Sequence, residues 1–296
     1  MNNIYRELKT LLTEGNMPEG EAKAVALMLL EKVAGLPTAK ALIADGNDLL
    51  CRRQTLLELA ARVAQGEPVQ YVLGEADFCG LTIKVKPGVL IPRPETEELV
   101  NWIVENVNDN LNPNCQLLDI GTGSGCIAVA LAKKLENADV DAWDVSDVAL
   151  EVTRENAERN GVKVKVNKVD VLANLNDNSQ SSTLNSKLST LNSFNIIVSN
   201  PPYICEEEKE EMEKNVLEHE PALALFVPNH DPLLFYKRIA DLGLSMLKED
   251  GLLFFEINRR FGTEVVKMLQ EKGYQEVELR QDLFGNDRMV KAIKPT

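Results

Sequence analysis

Histidine and basic residues are both scarce in this chain of 296 residues. His219 and His230 are the only histidines, too few for a histidine-based zinc site or a nucleophile activated by histidine. Lys and Arg number 32 against 46 Asp and Glu, which gives a formal net charge of −14. This balance disfavours general attraction to nucleic acid, because such attraction depends on cations that neutralise phosphates. We therefore expect no metal site and no direct contact with nucleic acid.

Cysteines are few, and long apolar runs are missing. The five cysteines are odd in number and form no CxxC pair, which favours reduced thiols over a disulfide framework. No apolar run reaches the ~18 residues of a membrane-spanning helix, and the first residues lack the basic and then apolar order of a signal peptide. We expect a protein that acts in the cytoplasm, away from membranes and as a monomer.

The pattern of apolar residues changes along the chain. Through the first 66 residues it has helical spacing, which predicts a small bundle of roughly four helices. Residues 78–85 alternate about a central glycine, as a β-hairpin does. From residue 116 to 279, strand-like and helix-like runs alternate, which predicts a doubly wound α/β sheet that binds ligands at the carboxyl ends of its strands.

One segment interrupts the alternation of strand and helix. Residues 174–193 are rich in Ser, Asn and Thr, and residues 182–186 are repeated as residues 189–193. Such composition cannot bury a core. It predicts a flexible insertion without a direct function.

A glycine-rich loop follows the first strand of the alternating region. It comprises Asp119, Ile120, Gly121, Thr122, Gly123, Ser124 and Gly125. Glycines let the backbone turn sharply and approach a ligand closely, so a nucleotide-like cofactor is expected. The dinucleotide fingerprint requires a further glycine where Cys126 stands. Glycines at alternate positions behind an acidic residue instead resemble motif I of class I methyltransferases.

Two further acidic residues end strand-like runs. Asp144 ends the next strand, where a carboxylate can accept hydrogen bonds from both hydroxyls of a ribose. Asp170 and Val171 follow the run 164–169, and the same resemblance implies that they border an adenine ring. An adenosine-containing cofactor is therefore expected.

The most specific motif is Asn200, Pro201, Pro202 and Tyr203, directly after an apolar strand. The prolines fix the backbone so that the carbonyl groups of Asn200 and Pro201 are held away from helix or sheet. A planar nitrogen is a poor nucleophile because its lone pair is delocalised. If the Asn200 side-chain oxygen and the Pro201 carbonyl accept its two N–H bonds, the lone pair is directed at a methyl donor. We predict that Asn200, Pro201 and Tyr203 are catalytic and that all four residues bind the substrate.

An Asn-Pro-Pro-Tyr motif after motif I is typical of methyltransferases that act on amino groups of adenine, guanine or glutamine. Residues 66–74, 90–100, 220–225, 255–257 and 282–288 are similar to landmarks of the HemK family, and this resemblance covers about residues 54 to 290. Two features depart from the family pattern: the insertion, and Asn258, where relatives usually have glycine.

The resemblance implies an α/β fold, a class I (Rossmann-like) methyltransferase domain with a mixed seven-stranded sheet. It implies a helical substrate-recognition domain at residues 1–74, a β-hairpin linker at 75–89 and the methyltransferase domain at 90–296. It implies methyl transfer from S-adenosyl-L-methionine, with S-adenosyl-L-homocysteine as product. The acceptor would be the side-chain amide nitrogen of the glutamine in the Gly-Gly-Gln motif of class I peptide chain release factors, which supports translation termination. Gly121 to Gly125, Asp144, Val171 and Asn200 would meet the cofactor.

Three alternatives remain open at this point. The first is a homologous glutamine methyltransferase that acts on a ribosomal protein. The second is an amino-methyltransferase of nucleic acid, which the acidic balance disfavours because it requires a basic recognition region. The third is a binding module that senses the cofactor without chemistry, which the intact motif at residues 200–203 disfavours.

Overall fold

A computed structural model describes residues 3–35, 40, 51–107, 115–173 and 193–296. The predicted insertion at 174–193 lies, apart from its last residue, outside the described residues. The chain divides into two compact units. The first comprises Met1–Glu75 with Met212–His219, and the second comprises Ala76–Glu211 with Glu220–Thr296. The domain boundaries at residues 74 and 89 stay a prediction.

The first unit is helical. Its main helices are α1 (Asn3–Glu14), α2 (Glu19–Ala34), α3 (Arg53–Ala64) and α4 (Val69–Leu73), together with a short helix, Lys214–His219. Leu8 and Leu12 of α1 are completely buried, as are Leu29 of α2 and Leu56 of α3. The apolar spacing therefore identifies the faces that form this core, and the helical region is confirmed.

A β-hairpin follows the helices. Its strands are β1 (Glu75–Phe78) and β2 (Leu81–Lys84). Cys79 and Gly80 form the turn with φ values of 50° and 76°, a left-handed conformation that glycine adopts without steric cost. Asn156 fixes the end of β2, because its side chain accepts a hydrogen bond from the Lys84 N–H and donates one to the Lys84 carbonyl.

The second unit is built on a mixed seven-stranded sheet. In chain order the remaining strands are β3 (Cys115–Ile120), β4 (Ala138–Asp144), β5 (Val164–Lys168), β6 (Phe194–Ser199), β7 (Ile204–Cys205), β8 (Phe226–Val227), β9 (Leu247–Glu256), β10 (Gln275–Gln281) and β11 (Asp287–Ile293). The order of strands in the sheet is β10-β11-β9-β6-β3-β4-β5. Strands β3, β4, β5, β6 and β9 are parallel, and β11 runs antiparallel to both β9 and β10. Strands β7 and β8 form a separate pair. The predicted fold class is confirmed.

Helices connect the strands of the sheet. They are α5 (Pro94–Asn106), α6 (Cys126–Lys134), α7 (Asp147–Arg159), α8 (Leu234–Met246) and α9 (Gly262–Glu271), with a short helix at Ala222–Leu225. The central strands β3 and β6 are nearly continuous apolar runs, as expected of parallel strands covered on both faces. Within the described ranges, no helix is long and apolar enough to cross a bilayer.

The carboxyl ends of the central strands are tied together. The Ser199 hydroxyl, at the end of β6, donates a hydrogen bond of 2.7 Å to the carbonyl of Ile120, at the end of β3. The Trp143 carbonyl in β4 accepts hydrogen bonds from the backbone N–H groups of Gly121 and Thr122. The two motifs predicted to bind cofactor and substrate therefore leave the sheet side by side.

Candidate active site

The backbone conformation of the glycine loop, residues 121–125, explains its glycines at alternate positions. Gly121, Gly123 and Gly125 have φ values of 74°, 56° and 78°. A Cβ built on Gly121 or Gly123 has no atom within 4 Å, whereas one on Gly125 lies 2.8 Å from Cγ2 of Thr153 in α7. The first two glycines thus leave open space for a ligand, and the third lets α7 approach the loop.

Side chains of α7 hold the glycine loop in place. The Thr153 hydroxyl donates to the Gly123 carbonyl at 3.2 Å, and the Asn156 side-chain amide donates to the Ser124 carbonyl at 2.8 Å. Because the carbonyl groups point at α7, the opposite side of the loop is left for a ligand.

Asp119 supports the loop from inside the protein. One carboxyl oxygen accepts a hydrogen bond of 2.6 Å from the Thr122 hydroxyl, and the other has no hydrogen-bond partner among the described residues. Complete burial raises the pKa of Asp119 to about 7, an effect that the Thr122 hydroxyl opposes in part. Through its hydrogen bond with Thr122, Asp119 therefore stabilises the conformation of the glycine loop.

A cavity of about 310 Å³ lies beside the loop, near the lower end of the ~300–1,000 Å³ typical of small-molecule sites. Among the predicted site residues, its lining includes Gly121, Gly123, Asp144, Asp170, Val171, Asn200, Pro201 and Pro202. Asp119, Thr122, Ser124, Gly125 and Tyr203 are not part of the lining, and these residues lie in the surrounding structure. Sequence reasoning missed other lining residues: Val89, Leu90, Ser146, Leu223, Phe235 and Ile239.

Asp144 faces the cavity with part of its hydrogen-bonding capacity in use. Its two carboxyl oxygens accept hydrogen bonds of 2.9 Å from the backbone N–H groups of Gly123 and Ser146. Burial raises its pKa, and these N–H groups oppose the rise. A carboxylate has about four lone-pair positions, so it can accept two more hydrogen bonds. Asp144 therefore fixes the loop and can still bind hydroxyl groups.

Asp170 and Val171 form another part of the wall. Asp170 is exposed, and its carboxyl group accepts a hydrogen bond of 2.9 Å from the Leu172 N–H. The Val171 carbonyl accepts one of 2.6 Å from Arg238 Nε in α8. Hydrogen bonds to backbone groups of residues 171 and 172 thus hold this part of the cavity wall in place.

The turn at residues 200–203 leaves the end of β6 and is held by a buried carboxylate. The Tyr203 hydroxyl donates to Oε1 of Glu256 at 3.1 Å, and the Thr96 hydroxyl donates to Oε2 of Glu256 at 2.6 Å. The Asn200 side-chain amide donates to the Thr96 oxygen at 3.3 Å. Burial raises the pKa of Glu256, and burial with the nearby Glu256 charge raises that of Tyr203.

Asn258 supports the same turn. Its side-chain amide donates to the Tyr203 carbonyl at 3.1 Å and to a Glu208 carboxyl oxygen at 2.9 Å. The residue that departs from the family pattern therefore satisfies a backbone acceptor of the turn, which a glycine at this position cannot do.

Two motifs distant in sequence meet at the cavity wall. Glu220 is buried, and its carboxyl oxygens accept hydrogen bonds from the Arg93 guanidinium and from the Ile91 N–H, the latter at 3.2 Å. Pro221 and Leu223, which line the cavity, follow directly. This pairing joins the motifs at 90–100 and 220–225, whose purpose was not apparent from sequence.

Comparison with known proteins adds independent findings. The model of the Methyltransferase small domain matches residues 82–223, and that of the PrmC N-terminal domain matches residues 3–74. The chain is 43% identical to the release factor glutamine methyltransferase of Bacteroides thetaiotaomicron, over 99% of both chains. It is 46% identical to that of Flavobacterium psychrophilum, over 83% of this chain and 81% of the other. The hMettl16 catalytic domain in complex with MAT2A 3'UTR hairpin 6 is similar in fold, with a TM-score of 0.56, 18% identity and coverage of 80% and 82%.

Proposed function

Because this chain belongs to the release factor glutamine methyltransferase family, we propose that its cavity binds S-adenosyl-L-methionine and receives the side-chain amide of a glutamine. The enzyme methylates the amide nitrogen of the glutamine in the Gly-Gly-Gln motif of class I release factors. The observation that supports this most directly is Asn200, which lines the cavity while its NH₂ group is bound to Thr96. Its side-chain oxygen is then left to accept a hydrogen bond from a substrate.

The residues at the cavity fit the proposed cofactor. Gly121 and Gly123 leave open space beside the loop for its methionine end, and Asp144 has capacity for two ribose hydroxyls. Asp170 and Val171 border the remaining wall, where the adenine ring would lie. When bound, this cofactor supplies an electrophilic methyl group on a positively charged sulfur. The Asp144 carboxylate, which lines the cavity, favours a nearby cation by Coulomb attraction.

The turn at residues 200–203 supplies the acceptors for catalysis. The Asn200 side-chain oxygen and the Pro201 carbonyl accept the two N–H bonds of the glutamine amide, so its nitrogen faces the methyl group. The same two oxygens would stabilise the positive charge that develops on nitrogen as it takes the methyl group and S-adenosyl-L-homocysteine leaves, until one amide proton passes to water. Pro201 and Pro202 keep the acceptors fixed before substrate arrives.

Methyl transfer to purified proteins tests the proposal. The full chain is incubated with methyl-labelled cofactor and, in separate reactions, with a class I release factor, ribosomal protein and DNA. We expect label in the release factor alone, and its loss when the Gly-Gly-Gln glutamine is replaced by asparagine. Label in ribosomal protein or in DNA instead would identify one of the alternative substrates and overturn the assignment.

We further infer that the helical unit binds the release factor. A stable protein complex buries about 800 Å² on each partner, much more than one glutamine side chain provides. The match of the PrmC N-terminal domain to residues 3–74 supports a role specific to this family. We also propose that the enzyme acts in the cytoplasm as a monomer.

Asp144→Ala is expected to weaken cofactor binding by about 1.5–3 kcal/mol, the scale of hydrogen bonds to a charged group. The loss combines two effects, since Asp144 also holds the Gly123 N–H. Isothermal titration with the cofactor measures it. Asp139→Ala is the matched control, because Asp139 lies on the same strand but is exposed and pairs with Lys165. Equal dissociation constants for Asp144→Ala and wild type would remove Asp144 from the cofactor site.

A further inference from the structure

Thr96 and Glu256 form a buried layer behind the catalytic asparagine. Thr96 is 2% exposed and lies in the first turn of α5, and Glu256 is 1% exposed and ends β9. Hydrogen bonds run from Asn200 Nδ2 to Thr96 Oγ1 at 3.3 Å and from Thr96 Oγ1 to Glu256 Oε2 at 2.6 Å. Neither Thr96 nor Glu256 lines the cavity.

The direction of each hydrogen bond follows from the chemistry of the groups. An ionised carboxylate only accepts, so the Thr96 and Tyr203 hydroxyls, bound to its two oxygens, must both donate. Thr96 has a single hydroxyl hydrogen, and this hydrogen is given to Glu256. Its oxygen can therefore only accept from Asn200, and only the NH₂ end of the Asn200 amide can donate.

Glu256 accepts from both hydroxyls, although burial, the largest influence on its pKa, raises that pKa. The Arg288 guanidinium lies close enough to lower the pKa of Glu256, against the burial that raises it. Glu95 is the nearby group of like charge and raises that pKa. With two hydroxyl donors on its oxygens and a cation beside it, the carboxylate is better paired than its burial alone suggests.

We propose that Thr96 and Glu256 are positioning residues that set the orientation of the Asn200 amide, so that its oxygen and never its NH₂ group faces the substrate. The proposal rests on the function given above, in which that oxygen accepts an N–H of glutamine. If the Asn200 amide were turned by 180°, its shape would be the same, but its NH₂ group would face the N–H group of the substrate glutamine. Both groups are donors, so no hydrogen bond could form. Orientation of Asn200 is thus a catalytic requirement that the turn at residues 200–203 cannot meet alone.

A matched pair of variants at Thr96 tests this inference in the full chain. Thr96→Val keeps the shape and removes the hydroxyl, and we expect kcat on release factor to fall about 10–100-fold with little change in cofactor affinity. Thr96→Ser keeps the hydroxyl and is expected to stay within about threefold of wild type. Equal losses in the two variants would indicate a packing role and overturn the inference, as would wild-type kcat in Thr96→Val.

Glu256→Gln provides a second test with an unchanged shape. Its amide can present either its NH₂ group or its oxygen to Thr96, so the direction of the hydrogen bonds is no longer fixed and the Asn200 NH₂ group can turn toward the substrate. We expect a measurable loss of kcat, no larger than that of Thr96→Val. Wild-type kcat in this variant would show that the charge of Glu256 does not set the orientation of Asn200 and would remove Glu256 from the inference.

Nuclear magnetic resonance of the Asn200 side-chain NH₂ group, assigned through Asn200→Asp, gives a readout independent of turnover. We expect slow hydrogen exchange in wild type and Thr96→Ser, and fast exchange in Thr96→Val. Fast exchange in wild type would refute the chain of hydrogen bonds. Failure of wild type to methylate release factor would instead refute the proposed function and leave this readout to decide the inference.

A second surface follows from a different observation, the apolar loop at residues 282–286. Leu283 and Phe284 are 87% and 81% exposed, although both are large and apolar. Buried Asp282 holds the loop, since its Oδ1 accepts from the N–H groups of Phe284 and Asn286 at 2.9 Å each. The Leu283 N–H donates to a Glu98 carboxyl oxygen at 3.3 Å. These hydrogen bonds fix the backbone of the loop in a conformation that leaves the Leu283 and Phe284 side chains exposed to solvent.

The base of the apolar loop is connected to the active site. Asp282 Oδ2 accepts a hydrogen bond of 3.1 Å from Arg288 Nε, and the Arg288 carbonyl accepts one of 2.8 Å from the N–H of Ile257, the residue after Glu256. Glu98 lies in α5 two residues after Thr96. The loop is therefore continuous with the wall that holds the turn at residues 200–203.

We infer that Leu283 and Phe284 dock the protein substrate beside its target glutamine, a role that rests on the proposed function. Adjacent aromatic and aliphatic side chains on a rigid backbone are typical anchors of protein interfaces, because little conformational entropy is lost on binding. We expect a short peptide that carries only the target glutamine to gain no affinity from these two side chains.

Comparison of two substrates tests the apolar loop. In a double variant, Leu283→Ser with Phe284→Ser, we expect KM for intact release factor to rise about tenfold and kcat/KM on a short Gly-Gly-Gln peptide to stay unchanged. Affinity for release factor, measured without turnover, should fall by the same factor. Equal losses on both substrates, or unchanged affinity for release factor, would overturn the inference. Wild type that binds release factor without methylating it would refute the proposed function alone.

Discussion

Replacement of Asn200 by Ala is expected to lower kcat for glutamine methylation about 10²–10³-fold, by analogy with removal of one donor from an oxyanion hole. The variant loses the acceptor for one amide N–H, while Pro201 and Pro202 keep the backbone of the turn. Cofactor affinity should fall much less, since Asn200 is one of many residues that line the cavity. Single-turnover methylation of release factor separates the two effects.

Asn200→Asp is the sharper comparison. A carboxylate presents an acceptor in either orientation, so it needs no donor bond to Thr96 to face the substrate correctly. It also introduces an additional negative charge into the buried layer that contains Glu256, which is unfavourable. We expect activity between those of Asn200→Ala and wild type. Wild-type rates for both variants would make Asn200 structural and the mechanism wrong.

Gly125→Ala is expected to destabilise the fold by about 2–4 kcal/mol. A left-handed conformation costs a residue with a Cβ roughly 1–2 kcal/mol. In addition, the new Cβ would lie 2.8 Å from Thr153 Cγ2 and 3.0 Å from Thr153 Cα, and α7 must move to relieve the contact. The melting temperature should fall by roughly 5–15 °C.

Gly123→Ala provides the matched control in the same loop. It has a similar left-handed φ of 56°, but its Cβ would face open space. We expect a smaller loss of melting temperature and a clear loss of cofactor affinity, since that space is proposed to hold the cofactor. Thermal unfolding and isothermal titration distinguish the two. Equal melting temperatures would show that contact with Thr153 has no energetic importance.

The sequence predicted the central sheet well, because buried parallel strands are apolar over most of their length. Strand β6 ends directly before the motif at residues 200–203, and β4 ends at Asp144, as predicted. Helix α5 and strand β11 were missed. Helix α5 begins inside the motif at residues 90–100, which was interpreted only as a family landmark. The second has the mixed composition Asp-Arg-Met-Val-Lys-Ala-Ile and is recognisable mainly from its pairing with β9 and β10.

The sequence predicted those site residues that lie together in short motifs. Asn200 and Asp144 stand in local motifs and line the cavity as expected. The partners that orient these motifs come from distant positions: 160 residues separate Thr96 from Glu256, and 127 separate Arg93 from Glu220. No periodicity or spacing connects such residues, so their roles required the tertiary structure.

The position of β11 between β9 and β10 has a consequence for biosynthesis. Strand β9 is made before β11, yet Glu256 pairs with Met289, and the N–H of Ile257 donates to the Arg288 carbonyl. Until residues 287–293 leave the ribosome, one side of β9 remains an open strand edge, which is prone to pair with other chains. Arg288, the cation beside Glu256, arrives in the same segment. Protection of the nascent chain from aggregation and assembly of the catalytic layer are therefore completed in a single late step.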